Sequence, residues 1–330
     1  MNSRVDEATA LAAEIFGKPV DRIDRLVQSS VRAVRLHIGA DSMIATRRPS
    51  VDRARLEAHV LKALHGAGGA VPALIGQRDR WVIQQDLEGK RMTIALWAEN
   101  PINREKLVNS GLRSLRTLHE AGRRSGLSEK IPGLGLTFEW RRRLCALPER
   151  MSERTGIAAP ALDIDATAER LMPRTLDLLK WDARPANAMV GPDGKVSWFD
   201  WEHCGVRDPL DDAGWFLGDE YMPDLNGLDP DAVAILQPDA NGMSRQEAAQ
   251  YQLRFGVLHM TVRLALILNK YDEYEGWRDW DFVLNNDKVG STAEAFRRTA
   301  GRAARWSDDC DDLRPLARWF RELSDWCPNE

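Results

Sequence analysis

Asp182, Asn187 and Asp200 are the residues of this chain whose types and spacing could do chemistry. They lie in the segment LDLLKWDARPANAMVGPDGKVSWFDWEHCGVRDPLDDAGWF, residues 176–216. Two short β-prone runs, Ala188 to Val190 and Lys195 to Phe199, flank the turn residues Gly191-Pro192-Asp193-Gly194. A hairpin of this size brings its ends together, so Asn187 and Asp200 should face one small volume. Two hard oxygen donors there suit a magnesium ion that keeps some of its waters and also binds phosphate oxygens. Asp182, on the loop entering the hairpin, can then accept or orient the proton of an attacking hydroxyl. These are the parts of a phosphoryl-transfer site. Taken singly, an Asp or Asn in a loop is a turn or cap residue; it is the order and spacing of the three that carry the reading.

The elements that must position this segment are legible on both sides of it. Residues 5 to 16 carry apolar side chains at helical spacing. From Ile23 to Thr46 the pattern turns to β-favouring runs, Val31 to Ile38 and Met43 to Thr46, broken at Gly39-Ala40-Asp41. Val51 to Leu64 places Leu56, Val60, Leu61 and Leu64 on one helical face, and Gly66 to Gly69 ends it. Trp81-Val82-Ile83 reads as a strand leading into Gln84 to Gly89. Strands, a helix and more strand predict a small mixed lobe at 1–86, followed by a mainly helical lobe at 87–330. In the second lobe, residues 103 to 122 form an amphipathic helix and Leu176 to Lys180 a strand. Arg245 to Lys270 reads as a buried helix, its apolar run interrupted by His259 and Arg263. Ser125 to Ile164, rich in Pro, Gly and Arg, assigns no clear element.

In order and spacing the chain resembles the aminoglycoside phosphotransferase and choline kinase group, relatives of the eukaryotic protein kinases. Members carry His-Gly-Asp, four residues, then Asn, and a hairpin ending in Asp-x-Glu or Asp-x-Asp. The resemblance covers about residues 20 to 220. It implies an α+β, two-lobed protein-kinase-like fold with Asp182 as catalytic base. Asn187 and Asp200 would be magnesium ligands, with Glu202 as a further carboxylate at the metal. Asp208-Pro209-Leu210-Asp211-Asp212-Ala213 looks like the family's Asp-Pro-x-x-Asp-Leu-Ala, which makes Asp212 the brace of the catalytic loop and the cap of the following helix. Met43 to Pro49 resembles the strand whose Lys or Arg touches the α- and β-phosphates. Arg47 aligns with that cation, Arg48 being one register on, and Glu57 aligns with its helical partner.

Two features depart from the family pattern. Lys180 and Trp181 stand where the group has His and Gly. A lysine is accommodated there if it reaches a carboxylate such as Asp212, whereas pairing with Asp200 would compete with magnesium. Trp181 matters if its position needs a positive φ, and its ring could offer a stacking surface at the substrate mouth. The phosphate-covering turn, Gln28-Ser29-Ser30, has no glycine, which leaves Ser29 and Ser30 as its phosphate contacts. The departures keep a second reading open, a nucleotide-binding pseudokinase with a sensing or scaffolding role. A protein kinase is a further alternative, against which stands the lack of an activation segment between Asp200 and Asp208.

Composition bounds the partners. Hydrophobic residues make up 43% and charged residues 29% of the 330, values of an ordinary globular protein. A net charge of −4 with interspersed signs lacks the basic stripe of a nucleic-acid binder. Cys145, Cys204, Cys310 and Cys327 are far apart and form no Cys-x-x-Cys pair, so they read as reduced thiols of a cytoplasmic protein. The first twenty residues show no apolar h-region and no stretch is long enough to span a bilayer. Magnesium with ATP or GTP is the expected co-substrate pair, and a small hydroxylated molecule the acceptor. The run Tyr271 to Phe282, alternating aromatic and acidic, has two readings: a rim attracting a cationic acceptor, or an amphipathic surface turn.

Overall fold

Alternation along the strands explains the first layer. In a computed structural model that describes residues 3–27, 30–225, 231–237, 244–286 and 289–328, β1 (Arg22–Val27), β2 (Ser30–Ile38) and β3 (Asp41–Arg47) form an antiparallel meander. Val34, Leu36 and Ile38 of β2 and Met43 and Ala45 of β3 are buried on one face. Against that face lies α1 (Ser3–Phe16), whose Val5, Ala8, Leu11 and Ala12 recur at helical spacing. The Gly39–Ala40 turn between β2 and β3 takes a positive φ of 62° at Gly39, and the Asp21 carboxylate accepts from its N–H.

α2 (Val51–Gly66) begins at Ser50, whose hydroxyl accepts from Arg53 N–H, and packs against β4 (Leu74–Arg78) and β5 (Trp81–Gln85). The five strands run in the order β1-β2-β3-β5-β4. Within β5, Trp81 and Ile83 face the α1 core while Val82 faces the core shared with α2.

The chain then leaves through β6 (Lys90–Arg91) and becomes helical in α3 (Met92–Ala98) and α4 (Pro101–Arg124), the latter opened by the Asn100 cap and Pro101. α5 (Phe138–Cys145) and α6 (Leu147–Thr155) occupy the stretch without sequence periodicity, and α7 (Ile164–Arg170) follows. Next come β7 (Asp177–Leu179), β8 (Ala188–Val190), β9 (Val196–Trp198) and β10 (Gly205–Arg207), which carry the chemistry-bearing segment. α8 (Leu210–Leu217), α9 (Ala232–Leu236), α10 (Arg245–Glu273), α11 (Trp280–Asn286), α12 (Ala293–Asp308) and α13 (Leu316–Trp326) complete the described chain. α10 starts with a full capping box between Ser244 and Glu247, and its buried face packs on α8 and α12. The fold is thus α+β: an antiparallel sheet lobe joined to a helical lobe. None of the described helices is long and apolar enough to cross a membrane.

Candidate active site

The hairpin forms as its β-prone runs and turn dictate. Ala188 pairs with Trp198, Met189 with Ser197 and Val190 with Val196, and Phe199 N–H donates to Asn187 C=O at 3.0 Å. Asn187 and Asp200 therefore stand at adjacent ends of the two strands. The preceding loop is pulled tight by backbone bonds from Arg184 N–H to Asp182 C=O and from Asn187 N–H to Arg184 C=O. Asn187 Nδ2 donates both to Asp182 Oδ2, at 2.7 Å, and to Asp182 C=O, at 3.0 Å. The amide is thereby oriented with its Nδ2 toward Asp182, which leaves Oδ1 as its remaining donor of electrons.

Asp212, fully buried at the start of α8, ties this loop to the helical lobe. It accepts from Lys180 N–H and Trp181 N–H at 2.9 Å each and pairs with His119 Nε2 at 2.9 Å. Two backbone donors on successive residues explain how Trp181 is held at φ 64°, the left-handed conformation that a glycine would adopt without steric cost. The Trp181 ring packs between Trp140, Trp215 and Phe255. Lys180 takes neither partner considered for it. Its ammonium donates to the main-chain carbonyl of Asp200 at 2.5 Å and lies 3.4 Å from that of Asp182.

The cation that meets the helical glutamate is Arg48, not Arg47. Arg48 Nε and Nη2 bind both oxygens of Glu57, and Nη1 reaches Asp200 Oδ1 at 2.5 Å and Glu202 Oε1 at 3.3 Å. Arg47, the last residue of β3, pairs in register with Trp81, and its Nε is buried without a partner. The reason is pleat: Arg47 shares a face with Met43 and Ala45, on the α1 side, and one step along the chain reverses the direction. Burial alone would lower the Arg48 pKa, but Asp200, Glu57 and Glu202 outweigh it and hold the guanidinium above its ordinary value. Burial pushes the Glu57 carboxyl up, with Arg48 and the Trp201 N–H acting against it.

Three oxygen-bearing side chains, Asn187, Asp200 and Glu202, belong to this corner. Asn187 has its Nδ2 turned to Asp182, and Glu202 Oε2 is buried without a hydrogen-bond partner. Among the described residues no cluster of three or more His, Cys, Asp or Glu side chains is disposed to hold a metal. Arg48 already engages one oxygen of Asp200 and one of Glu202, so a hard cation here would share these carboxylates with the guanidinium as well as with phosphate oxygens and water, the habit of magnesium. Ser30 opens β2, its backbone paired with Val27, while Ser29 lies outside the described residues.

One feature escaped the sequence reading. Arg184, two residues after Asp182, is buried with Nε 2.6 Å from Asp219 and Nη2 3.0 Å from Glu220, and Arg263 of α10 binds Glu220 from the other side. The signal was present in Arg263, a charge inside an apolar helix, and in the adjacent acids Asp219-Glu220. The run 271–282 is answered from within the chain. Arg278 and Lys270 lie over Tyr274, Arg298 lies over Trp280, and Asp272 and Glu273 pair with Arg154 and Lys270.

A model of the phosphotransferase enzyme family matches residues 26–251. The chain belongs to this family. The chain has no match among curated proteins, but its fold is shared with solved structures. A choline/ethanolamine kinase family protein from Mesorhizobium loti is 15% identical with a TM-score of 0.55, over 96% of this chain and 99% of that one. An aminoglycoside 2′-phosphotransferase solved with GDP is 12% identical with a TM-score of 0.55, over 83% and 94%. The spectinomycin phosphotransferase solved with AMP is 12% identical with a TM-score of 0.54, over 82% and 92%.

Proposed function

We propose that this protein moves the γ-phosphate of ATP or GTP to a hydroxyl of a small molecule. The nucleotide would lie in the cleft between the sheet lobe, residues 1–86, and the helical lobe, residues 87–330. The single observation that carries the reading is the bond from Asn187 Nδ2 to Asp182 Oδ2, made where the hairpin also delivers Asp200. Asn187 thereby aims the Asp182 carboxylate, which takes the proton of the acceptor hydroxyl as its oxygen bonds to the γ-phosphorus and the bridge to the β-phosphate breaks. Asn187, Asp200 and Glu202 would hold magnesium, which when bound supplies positive charge to the phosphate oxygens. Arg48, steadied by Glu57, would take the phosphate-side role expected of Arg47, and Ser29 and Ser30 are proposed as phosphate contacts, as the family resemblance implies.

Orientation and fixed charge do most of the work in such a site, because the transferred group forms no bond to the protein. The AMP and GDP complexes of two relatives support a nucleotide co-substrate. Four buried free cysteines suit a cytoplasmic setting. The test is turnover of γ-labelled ATP and GTP with magnesium over a panel of hydroxylated acceptors. Asp182→Ala should lower turnover by about 10²–10⁴-fold, the range of general-base catalysis, while nucleotide still binds. Unchanged turnover in that variant refutes the assignment. Asp200→Ala should abolish magnesium-dependent nucleotide binding, read by calorimetry.

A further inference from the structure

The peptide joining Asp200 to Trp201 is gripped from both lobes. Its carbonyl accepts from Lys180 Nζ at 2.5 Å, and its N–H donates to Glu57 Oε1 at 3.0 Å. Lys180 lies on the loop that carries Asp182, and Glu57 on α2 of the sheet lobe; their exposures are 1% and 0%. Asp200 itself holds φ at 65°, a left-handed conformation that a non-glycine residue keeps only where its surroundings over-determine it. Fixing the peptide plane that follows Asp200 restricts its ψ, and so fixes the direction in which its carboxylate leaves the chain.

Lys180 also lies 3.4 Å from the carbonyl of Asp182, and its ammonium sits 5.4 Å from the centre of the Trp201 ring. Its described partners are thus two main-chain carbonyls and an indole face, none of them a carboxylate. An ion pair does not account for a charged side chain buried here, and an apolar residue would fill the same volume. What lysine adds is several N–H donors on one atom, able to meet both loops at once.

We infer that Lys180 is a positioning residue: with Glu57 it clamps the Asp200–Trp201 peptide, and by bridging to Asp182 it sets how the two aspartates face one another. The inference rests on the roles proposed above for those aspartates. The experiment compares the full chain with Lys180→Met and Lys180→Arg in two readouts. In hydrogen exchange, Lys180→Met should speed the Trp201 amide by about tenfold or more, as a locally loosened unit does, with α12 unchanged. Lys180→Arg keeps several donors and should retain most of the protection.

In turnover of γ-labelled nucleotide, Lys180→Met should lower kcat by about 10–100-fold, the effect of a small misplacement of reacting groups. The nucleotide KM should stay within about threefold, because uniform binding is untouched, and Lys180→Arg should recover part of kcat. Where the Met variant does not fold, Lys180→Gln, with fewer donors than lysine, should fall between. Unchanged exchange at Trp201, or full kcat in Lys180→Met, overturns the clamp. If the unsubstituted protein transfers phosphate from neither nucleotide, the phosphotransfer reading fails while the exchange arm still decides the clamp.

Discussion

Arg48→Met is the perturbation for which the structure gives the clearest magnitude. The Arg48 side chain is 4% exposed and Glu57 0%, and two nitrogens of the guanidinium bind both carboxylate oxygens. Removing the cation strands Glu57 in a place with no water to replace it, beside Asp200 and Glu202, which lose the same partner. Breaking one side of a buried pair of this kind costs about 3–5 kcal/mol. Arg47, half-buried with its Nε unpartnered, should cost within about 1 kcal/mol when replaced by Met, since it leaves no buried charge behind. Urea unfolding at pH 7 measures both. The pH dependence has a definite sign. Burial already raises the Glu57 carboxyl and Arg48 opposes that rise, so Arg48→Met raises it further. A carboxyl with a raised folded pKa is favourable while protonated in both states and loses that advantage as pH climbs toward the folded value. The Arg48→Met penalty should therefore shrink as pH falls through the variant's further-raised folded value, until Glu57 is protonated in both folded proteins. A loss under about 1 kcal/mol at pH 7, or an equal loss from Arg47→Met, would refute the assignment of the pair, because that magnitude belongs to exposed ion pairs.

Two further substitutions probe the support behind the site. Asp212→Asn keeps one acceptor oxygen but turns an amine toward a buried N–H; leaving one such donor unpaired should cost about 1–3 kcal/mol. By releasing Trp181 or Lys180 N–H it should also lower kcat with nucleotide affinity held, seen by denaturation and nucleotide titration. Full kcat in a folded Asp212→Asn would show that the loop does not need this brace. Burial drives the pKa of His259 well below its ordinary value, with Arg263 and Arg184 adding to the effect. The folded protein then refuses a proton that the unfolded chain accepts, so stability should fall below about pH 6.5, by up to about 1.4 kcal/mol per pH unit. His259→Phe should flatten that slope between pH 5 and 6.5, and an unaltered slope would assign it to other groups.

Much of the fold, and the placement of most candidate site residues, were legible because their signals are local. β8, β9 and their turn are a few residues apart, and Asp182, Asn187 and Asp200 occupy positions that a short hairpin and a tight loop must bring close. The β2–β3 meander, the α2 helix and the buried α10 likewise follow from period and punctuation within one element. The stretch from Ser125 to Ile164 did not yield α5 and α6, whose charged faces and short lengths blur the helical period: Arg141, Arg142 and Arg143 stand in succession, yet Arg141 is buried against the carbonyls of Leu136 and Ala168.

What stayed illegible is decided by single-residue register or by contacts distant in sequence. Arg47 and Arg48 are chemically identical, and only the pleat of β3 tells which one leaves the α1 face for the cleft. Lys180 was weighed as a charge in search of a carboxylate, because side-chain pairing is what residue types suggest. Its actual partners are carbonyls, which every residue carries and no sequence displays. The same holds for Trp181: the residue type argues against a left-handed backbone, and the reason it persists lies in Asp212, 31 residues away, accepting from its N–H. Local rules are broken here at Trp181, beside the proposed base, and at Asp200, itself a proposed metal ligand, and each break is held by a buried side chain reached only through the fold.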